Sequence, residues 1–243
     1  MTAAAIDHLS HSQIASFVGC PRKWHYDKVL NVAPERTGAA LAFGSALHEA
    51  LAVMNEAALL GVVADPKAVF LRRWGEALEN QAAPLHFGKD DADDLLAKGL
   101  ALLAAYQPPS GIVGVEEAIE VSLDPELPPI HGRIDLIRRG EEGDLILVDL
   151  KTSASKRIAE PSAVEAQLAL YQEAYPAARH EVILLTKQVK PSISTVAVTP
   201  WPRGRLVLHY REVFLAMRAG IRYAVRGWHC GSCAFRDRCK GES

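Results

Sequence analysis

The sequence predicts an α/β domain: a mixed central sheet flanked by helices, with a helical N-terminal addition and a cysteine-clamped C-terminal tail. Three observations predict it. Helical periodicity runs through residues 8–106 and stops at Q-P-P-S-G, residues 107–111, where the pattern shifts to strands. From there the core order is three strands, a helix and a further strand. Two β-like runs, 130–138 and 145–152, flank Gly140-Glu141-Glu142-Gly143, a hairpin turn.

Residues 8–31 read as helical, with Ser10 or Ser12 as the cap and Gly19 and Pro21 as interruptions. Residues 44–60, G-S-A-L-H-E-A-L-A-V-M-N-E-A-A-L-L, are the clearest helix, followed by helices over 66–81 and 90–106. Residues 115–123 form a strand ahead of the hairpin. A helix over 161–175, strands over 180–187 and 193–198, and a long helix over 203–226 complete the order. No internal repeat or long linker interrupts it.

The chain has 243 residues, 49% of them apolar, enough for one domain with a sizeable core. No stretch is long and apolar enough to span a membrane. The start, M-T-A-A-A-I-D-H-L-S, lacks a basic region and an apolar run, so a cytoplasmic protein is expected. Charge is unevenly spread. Residues 201–243 hold 9 of the 27 Lys/Arg but only 3 of the 29 Asp/Glu, so a basic segment follows an acidic body. That asymmetry points to a polyanion contact.

The chemistry concentrates in H-G-R-I-D-L-I-R-R-G-E-E-G-D-L-I-L-V-D-L-K-T, residues 131–152. Alternation puts Asp149 and Lys151 on one face of their strand. Pairing across the turn sets Asp135 opposite Asp149 to within a residue, at roughly 5 Å. Crowded carboxylates repel, and a divalent cation relieves the repulsion; oxygen ligands of this kind suit magnesium or manganese. A lysine beside such a cation polarises a phosphoryl oxygen or orients the attacking water. His48, early in the 44–60 helix, would add an imidazole and favour manganese over calcium. Gln167 and Tyr171 share a helix face at i, i+4, one connection after the lysine strand.

The four cysteines are Cys20, Cys230, Cys233 and Cys239. In a cytosolic chain, C-x2-C-x5-C with one distant partner reads as a metal site of four thiolates, either zinc or an iron–sulfur cluster. Such a site joins the two ends of the chain. On the 203–226 helix the apolar stripe is Leu206, Tyr210, Val213, Phe214, Met217 and Ile221. Arg211, Arg218, Arg222 and Arg226 fall within about 80° on another face. With Arg236, Arg238 and Lys240 they are a candidate phosphate-tracking surface. Trp24, Tyr26, Trp201 and Trp228 are candidates for base stacking or for the core.

Taken together, these motifs resemble the PD-(D/E)XK nuclease superfamily. They match its RecB-like branch carrying a four-cysteine iron–sulfur cluster, which includes the AddB nuclease domain and CRISPR-associated exonucleases. The resemblance spans nearly the whole chain. It rests on L-S-x-S-x-I-x-x-F-x-x-C-P-R-K-W-x-Y around Cys20, G-x-x-x-H ending at His48 and G-R-I-D ending at Asp135. V-D-L-K ending at Lys151, Q-x-x-x-Y from Gln167 to Tyr171 and the C-x2-C-x5-C tail complete it. It implies a restriction-endonuclease-like fold as a single domain, 1–243. Residues 1–43 and 203–243 would form the iron–sulfur clamp, and 44–200 the nuclease core with a helical insert at about 62–107.

The resemblance also implies roles. His48, Asp135, Asp149 and the Leu150 carbonyl would hold Mg2+ or Mn2+, and Lys151 would be the catalytic lysine. Gln167 and Tyr171 would contact DNA or support the site. Cys20, Cys230, Cys233 and Cys239 would hold a [4Fe–4S] cluster. The expected activity is exonucleolytic cleavage of single-stranded DNA or DNA ends, in repair, recombination or CRISPR and phage DNA processing. The chain has no G-x-x-x-x-G-K-[ST] phosphate loop and so no motor of its own; a helicase or CRISPR integrase is the expected partner. The rival reading is a non-cutting or partner-activated single-stranded DNA-binding subunit of such a complex.

Overall fold

In the computed structural model, residues 6–80, 82–188 and 190–242 are described. Residues 1–5 and Gln81, the expected end of a helix, lie outside them. The hairpin forms as its sequence dictates. Strand β5 (Ile130–Arg139) pairs antiparallel with β6 (Leu145–Ser153) from Arg139↔Leu145 to Leu136↔Val148. Gly143 supplies the turn's left-handed residue at φ 82°. Helix α6 (Pro161–Ala174) then crosses over to β7 (Arg179–Thr186), which lies parallel to β6. Strand β8 (Ser192–Ala197) closes that edge antiparallel. On the other side β4 (Ile112–Val121) runs antiparallel along β5. The result is the expected mixed sheet flanked by helices.

The N-terminal region differs in detail from one long helix. Leu9–Ser10 is a short strand, β1, parallel to β5 at Leu9↔Ile130 and Ser10↔His131. Helix α1 (His11–Gly19) follows, with Ser10 Oγ accepting from the Gln13 N–H as its cap. Extended backbone at Cys20 separates it from α2 (Pro21–Trp24) and a π-helical turn at His25–Val29. After β2 (Thr37–Gly38) comes α3 (Ala39–Leu60), which starts earlier than its sequence signal. Helix α4 (Pro66–Glu79) is capped by Asp65. Strand β3 (Leu85–His86) pairs with β2, and α5 (Ala92–Ala105) opens on a capping box between Asp91 and Asp94.

Two apolar cores sandwich the sheet. Ile146, Val148 and Leu150 of β6 face Phe43, Leu47, Phe70, Trp74 and Leu102 from α3, α4 and α5. Leu147 faces the opposite core, with Ile14 and Phe17 of α1 and Leu168 and Tyr171 of α6. Asp149 and Lys151 continue the Leu147 row by alternation, so the sheet points them toward α6.

The C-terminal helix is shorter than its sequence pattern. Helix α7 (Arg203–Arg218) ends where Gly220 turns left-handed at φ 70°. Leu206, Tyr210, Val213, Phe214 and Met217 are buried as expected, but Ile221 lies beyond the helix and is exposed. The tail continues without regular structure to a 3-10 turn at Trp228–Cys230 and α8 (Arg236–Gly241). It is fastened to the N-terminal region by polar contacts. The Glu35 carboxylate accepts from the Asp237 and Arg238 N–H groups, both at 2.9 Å, and Arg36 pairs with Asp237. The Tyr26 hydroxyl donates to Glu242.

Candidate active site

The site forms where the β5–β6 ladder parts. The last pair is Leu136↔Val148, and the next step in register would set Asp135 against Asp149. Instead, Asp135 turns its side chain across the gap and accepts the Leu150 N–H at 2.7 Å. Further along, β1 takes the vacated edge of β5. A cavity of about 570 Å3 adjoins the gap; Lys151, Gln167, Tyr171, Arg133 and His11 are among its lining residues, whereas His48, Asp135, Asp149 and Leu150 lie behind that lining.

Around that gap the expected residues assemble. Lys151 Nζ donates to Asp149 Oδ1 at 2.9 Å and to Gln167 Oε1 at 3.0 Å. Gln167 Nε2 donates to the Tyr171 hydroxyl at 2.6 Å, which donates to the Arg133 carbonyl at 2.6 Å. This chain of hydrogen bonds fixes the lysine between sheet and α6. It is why a tyrosine 2% exposed keeps its hydroxyl satisfied, and burial pushes that hydroxyl's pKa well up. From the other side α3 brings His48, whose Nδ1 lies 3.9 Å from Asp135 Oδ2.

The electrostatics fit a cation. Burial pushes both Asp135 and Asp149 up to about 6, and Lys151 pulls each back toward the charged form. Proximity to Asp135 adds to the rise at Asp149. Burial, and then Lys151, lowers His48, which disfavours its imidazolium form. Asp149 is 1% exposed, and its Oδ2, although 2.9 Å from Lys151 Nζ, is buried with no hydrogen bond. A buried carboxylate oxygen with an ion-pair partner but no hydrogen bond, a second carboxylate and an imidazole are a donor set for Mg2+ or Mn2+. In the arrangement described, no three His, Cys, Asp or Glu side chains among the described residues converge closely enough to hold an ion; Lys151 balances the carboxylates instead.

The sequence reading missed Glu116. It adopts a left-handed backbone at φ 52°, in mid-strand, between the pairs Glu117↔Ile134 and Val115↔Leu136, which keep one register. Holding a glutamate there costs about 1–3 kcal/mol. Its charge raises Asp135 and His48, and its carboxylate lies 3.5 Å from Arg133. The available signal was the adjacent pair Glu116-Glu117, which breaks strand alternation.

The four cysteines lie in one region, although no three of them converge closely enough to hold an ion. Cys20, Cys230, Cys233 and Cys239 line a second cavity of about 280 Å3. Burial raises the Cys233 thiol, and Cys20 and Cys230 add to the rise. The arginine stripe, by contrast, is not one face. Arg222 and Arg226 lie past the end of α7, so only Arg211 and Arg218 share it. Arg211 pairs with Glu126 and lies 3.7 Å from Asp124, and the Arg218 guanidinium sits 5.8 Å from the Phe214 ring centre. Trp24, Tyr26 and Trp201 are buried; Trp228 is not.

With this geometry in place, comparison with known proteins is informative. A family model described as PD-(D/E)XK nuclease superfamily matches residues 8–240. No curated protein matches the sequence significantly. Among solved structures, one described as a putative exonuclease from Eubacterium rectale is similar with a TM-score of 0.56 at 15% identity. The match covers 98% of this chain and 88% of that one. The crystal structure of SSO0001 is similar with a TM-score of 0.50 at 17% identity, over the same shares of each chain. At such identities the likeness is one of fold.

Proposed function

The chain belongs to the PD-(D/E)XK nuclease superfamily, and from that premise we propose that it is a metal-dependent deoxyribonuclease, an exonuclease acting on single-stranded DNA or DNA ends. The observation that carries the reading is the buried pair Asp135 and Asp149 with Lys151 held against Asp149 by Gln167. His48, Asp135, Asp149 and the Leu150 carbonyl would hold Mg2+ or Mn2+. Bound there, the ion supplies an activated water and neutralises charge on the phosphate. Lys151 donates to the phosphate oxygen that gains charge as the 3′-oxygen leaves. Gln167 and Tyr171 keep its ammonium aimed.

No described helix is long and apolar enough to cross a membrane. The proposal keeps a single domain over 1–243, in which 1–43 and 203–243 clamp a core of 44–200 with its helical insert at about 62–107. The clamp's group is a [4Fe–4S] cluster on the four cysteines, as in the RecB-like branch. What supports the reading is that all four cysteines line one cavity. A helicase or integrase would present the ends.

The test is cleavage of single-stranded DNA, labelled at the 5′ or 3′ end, with Mg2+ or Mn2+. Stepwise metal-dependent shortening is expected; internal cuts alone would replace the exonuclease with an endonuclease. No cleavage by cluster-loaded protein that still binds DNA would favour the non-cutting subunit. Tyr171→Phe tests the lysine support. Removing the hydroxyl leaves the Arg133 carbonyl without its donor, at about 1–3 kcal/mol of stability. Lys151 loses its brace, so kcat is expected to fall about 10-fold with KM little changed. Denaturant unfolding and steady-state kinetics read the two effects separately.

A further inference from the structure

We infer that the rim of the cysteine cavity is a single-strand platform that feeds the cleavage site, with Trp228 as its stacking surface. The inference rests on the nuclease reading. Trp228 is 90% exposed, whereas Trp24, Trp74 and Trp201 are buried. Nothing in the fold requires an indole in water, and a thiolate site has no use for one. The cavity it lines is also lined by Arg22, Lys23, Arg226, Arg236 and Lys240 and, among the described residues, by no carboxylate. Nearby acids are engaged elsewhere: Asp237 with Arg36, and Glu242 with Tyr26 and Arg238. A basic wall selects a polyanion. An exposed aromatic ring beside it selects unpaired bases, because duplex bases are already stacked on one another.

Placement joins the platform to the chemistry. Cys20 and Arg22 lie just past the C-terminal end of α1, while Ser10, His11 and Ser12 at its other end line the cleavage cavity. The 9 residues of α1 span about 14 Å at 1.5 Å each. That is about four nucleotides at a stacked spacing of 3.4 Å. A strand seated on Trp228 would therefore set its scissile phosphate a few nucleotides away, at Lys151.

The experiment measures binding without cleavage. The full-length, cluster-loaded protein carries Asp149→Ala, in EDTA, and is titrated into labelled oligothymidylate and into a blunt duplex. Adding Trp228→Ala is expected to weaken oligothymidylate binding about 5- to 150-fold, the effect of one lost base–aromatic stack. Duplex binding should change far less, and Trp228→Phe should recover most of the single-strand affinity. Unaltered visible absorbance and melting of Trp228→Ala would show that the clamp is intact. Unchanged oligothymidylate affinity, or equal losses for single strand and duplex, would overturn the platform. Failure of the nuclease reading is separate: wild-type protein with Mn2+ would leave DNA uncut whatever its affinity.

Discussion

Asp149→Ala is expected to lower DNA cleavage about 10^3-fold or more while leaving the sheet intact. The side chain is 1% exposed, and its Oδ2 is buried without a hydrogen bond. It also anchors Lys151 at 2.9 Å, so on the proposed reading the variant would lose a metal ligand and release the lysine together. Lys151→Ala should approach the same loss, because groups that act as a unit are not additive. Asp135→Asn separates charge from structure: its amide oxygen can still accept the Leu150 N–H. Substantial cleavage by all three purified variants would remove the chemistry from this gap.

The same carboxylates set a pH dependence with opposite signs for stability and for function. Both folded pKa values are pushed up to about 6 from 3.8, so the native state binds protons more tightly than the unfolded chain. Without metal, these groups make the fold more stable as pH falls through about 6, and the gain levels off below 3.8. If the two carboxylates hold a metal as proposed, both must be ionised, so metal binding would weaken as pH falls. Asp135→Asn should therefore raise the metal-free Tm at pH 7, by ~2–4 °C for each kcal/mol of relieved burial, while abolishing cleavage. Thermal melts of wild type and Asp135→Asn between pH 5 and pH 8, in EDTA, would check the sign; a lower Tm for the variant at pH 7 would refute it.

Much of this site was legible in the sequence because its information is local. Strand alternation places Asp149 beside Lys151, and a short glycine turn fixes Asp135 opposite, so the register follows from a dozen residues. Gln167 and Tyr171 follow from helix spacing one connection later. What escaped depends on tertiary context. Glu116 works through a left-handed backbone in mid-strand, which no propensity favours at a glutamate. Leu9–Ser10 forms a strand only because β5 has an edge that β6 abandons. The arginine stripe failed for a simpler reason: periodicity carried the helix through Ala219-Gly220, where the left-handed glycine ends it.

Cys233→Ala is expected to bleach the protein and loosen its C-terminal tail. If a [4Fe–4S] cluster joins Cys20 to Cys239, it closes a loop nearly as long as the chain. Chain-entropy reasoning, borrowed from disulfides, assigns such a closure about 5 kcal/mol. The realised loss should be smaller, because the tail has its own fastening. Glu35 still accepts from two N–H groups of α8, and the Glu35 N–H still donates to Ala234. The backbone bond from the Arg22 N–H to the Tyr223 carbonyl remains as well. The sheet and both cores lie elsewhere, so they should keep their hydrogen-exchange protection while residues 221–242 lose theirs. Iron and acid-labile sulfide would be measured in anaerobically prepared wild type and in Cys233→Ala, alongside the visible spectrum and exchange by segment. Iron and sulfide in wild type only, with exchange rising in the tail, is the expected result. Zinc without iron in wild type would make the clamp a zinc site, and equal protection of the tail in both proteins would mean that the polar fastening alone holds the ends together.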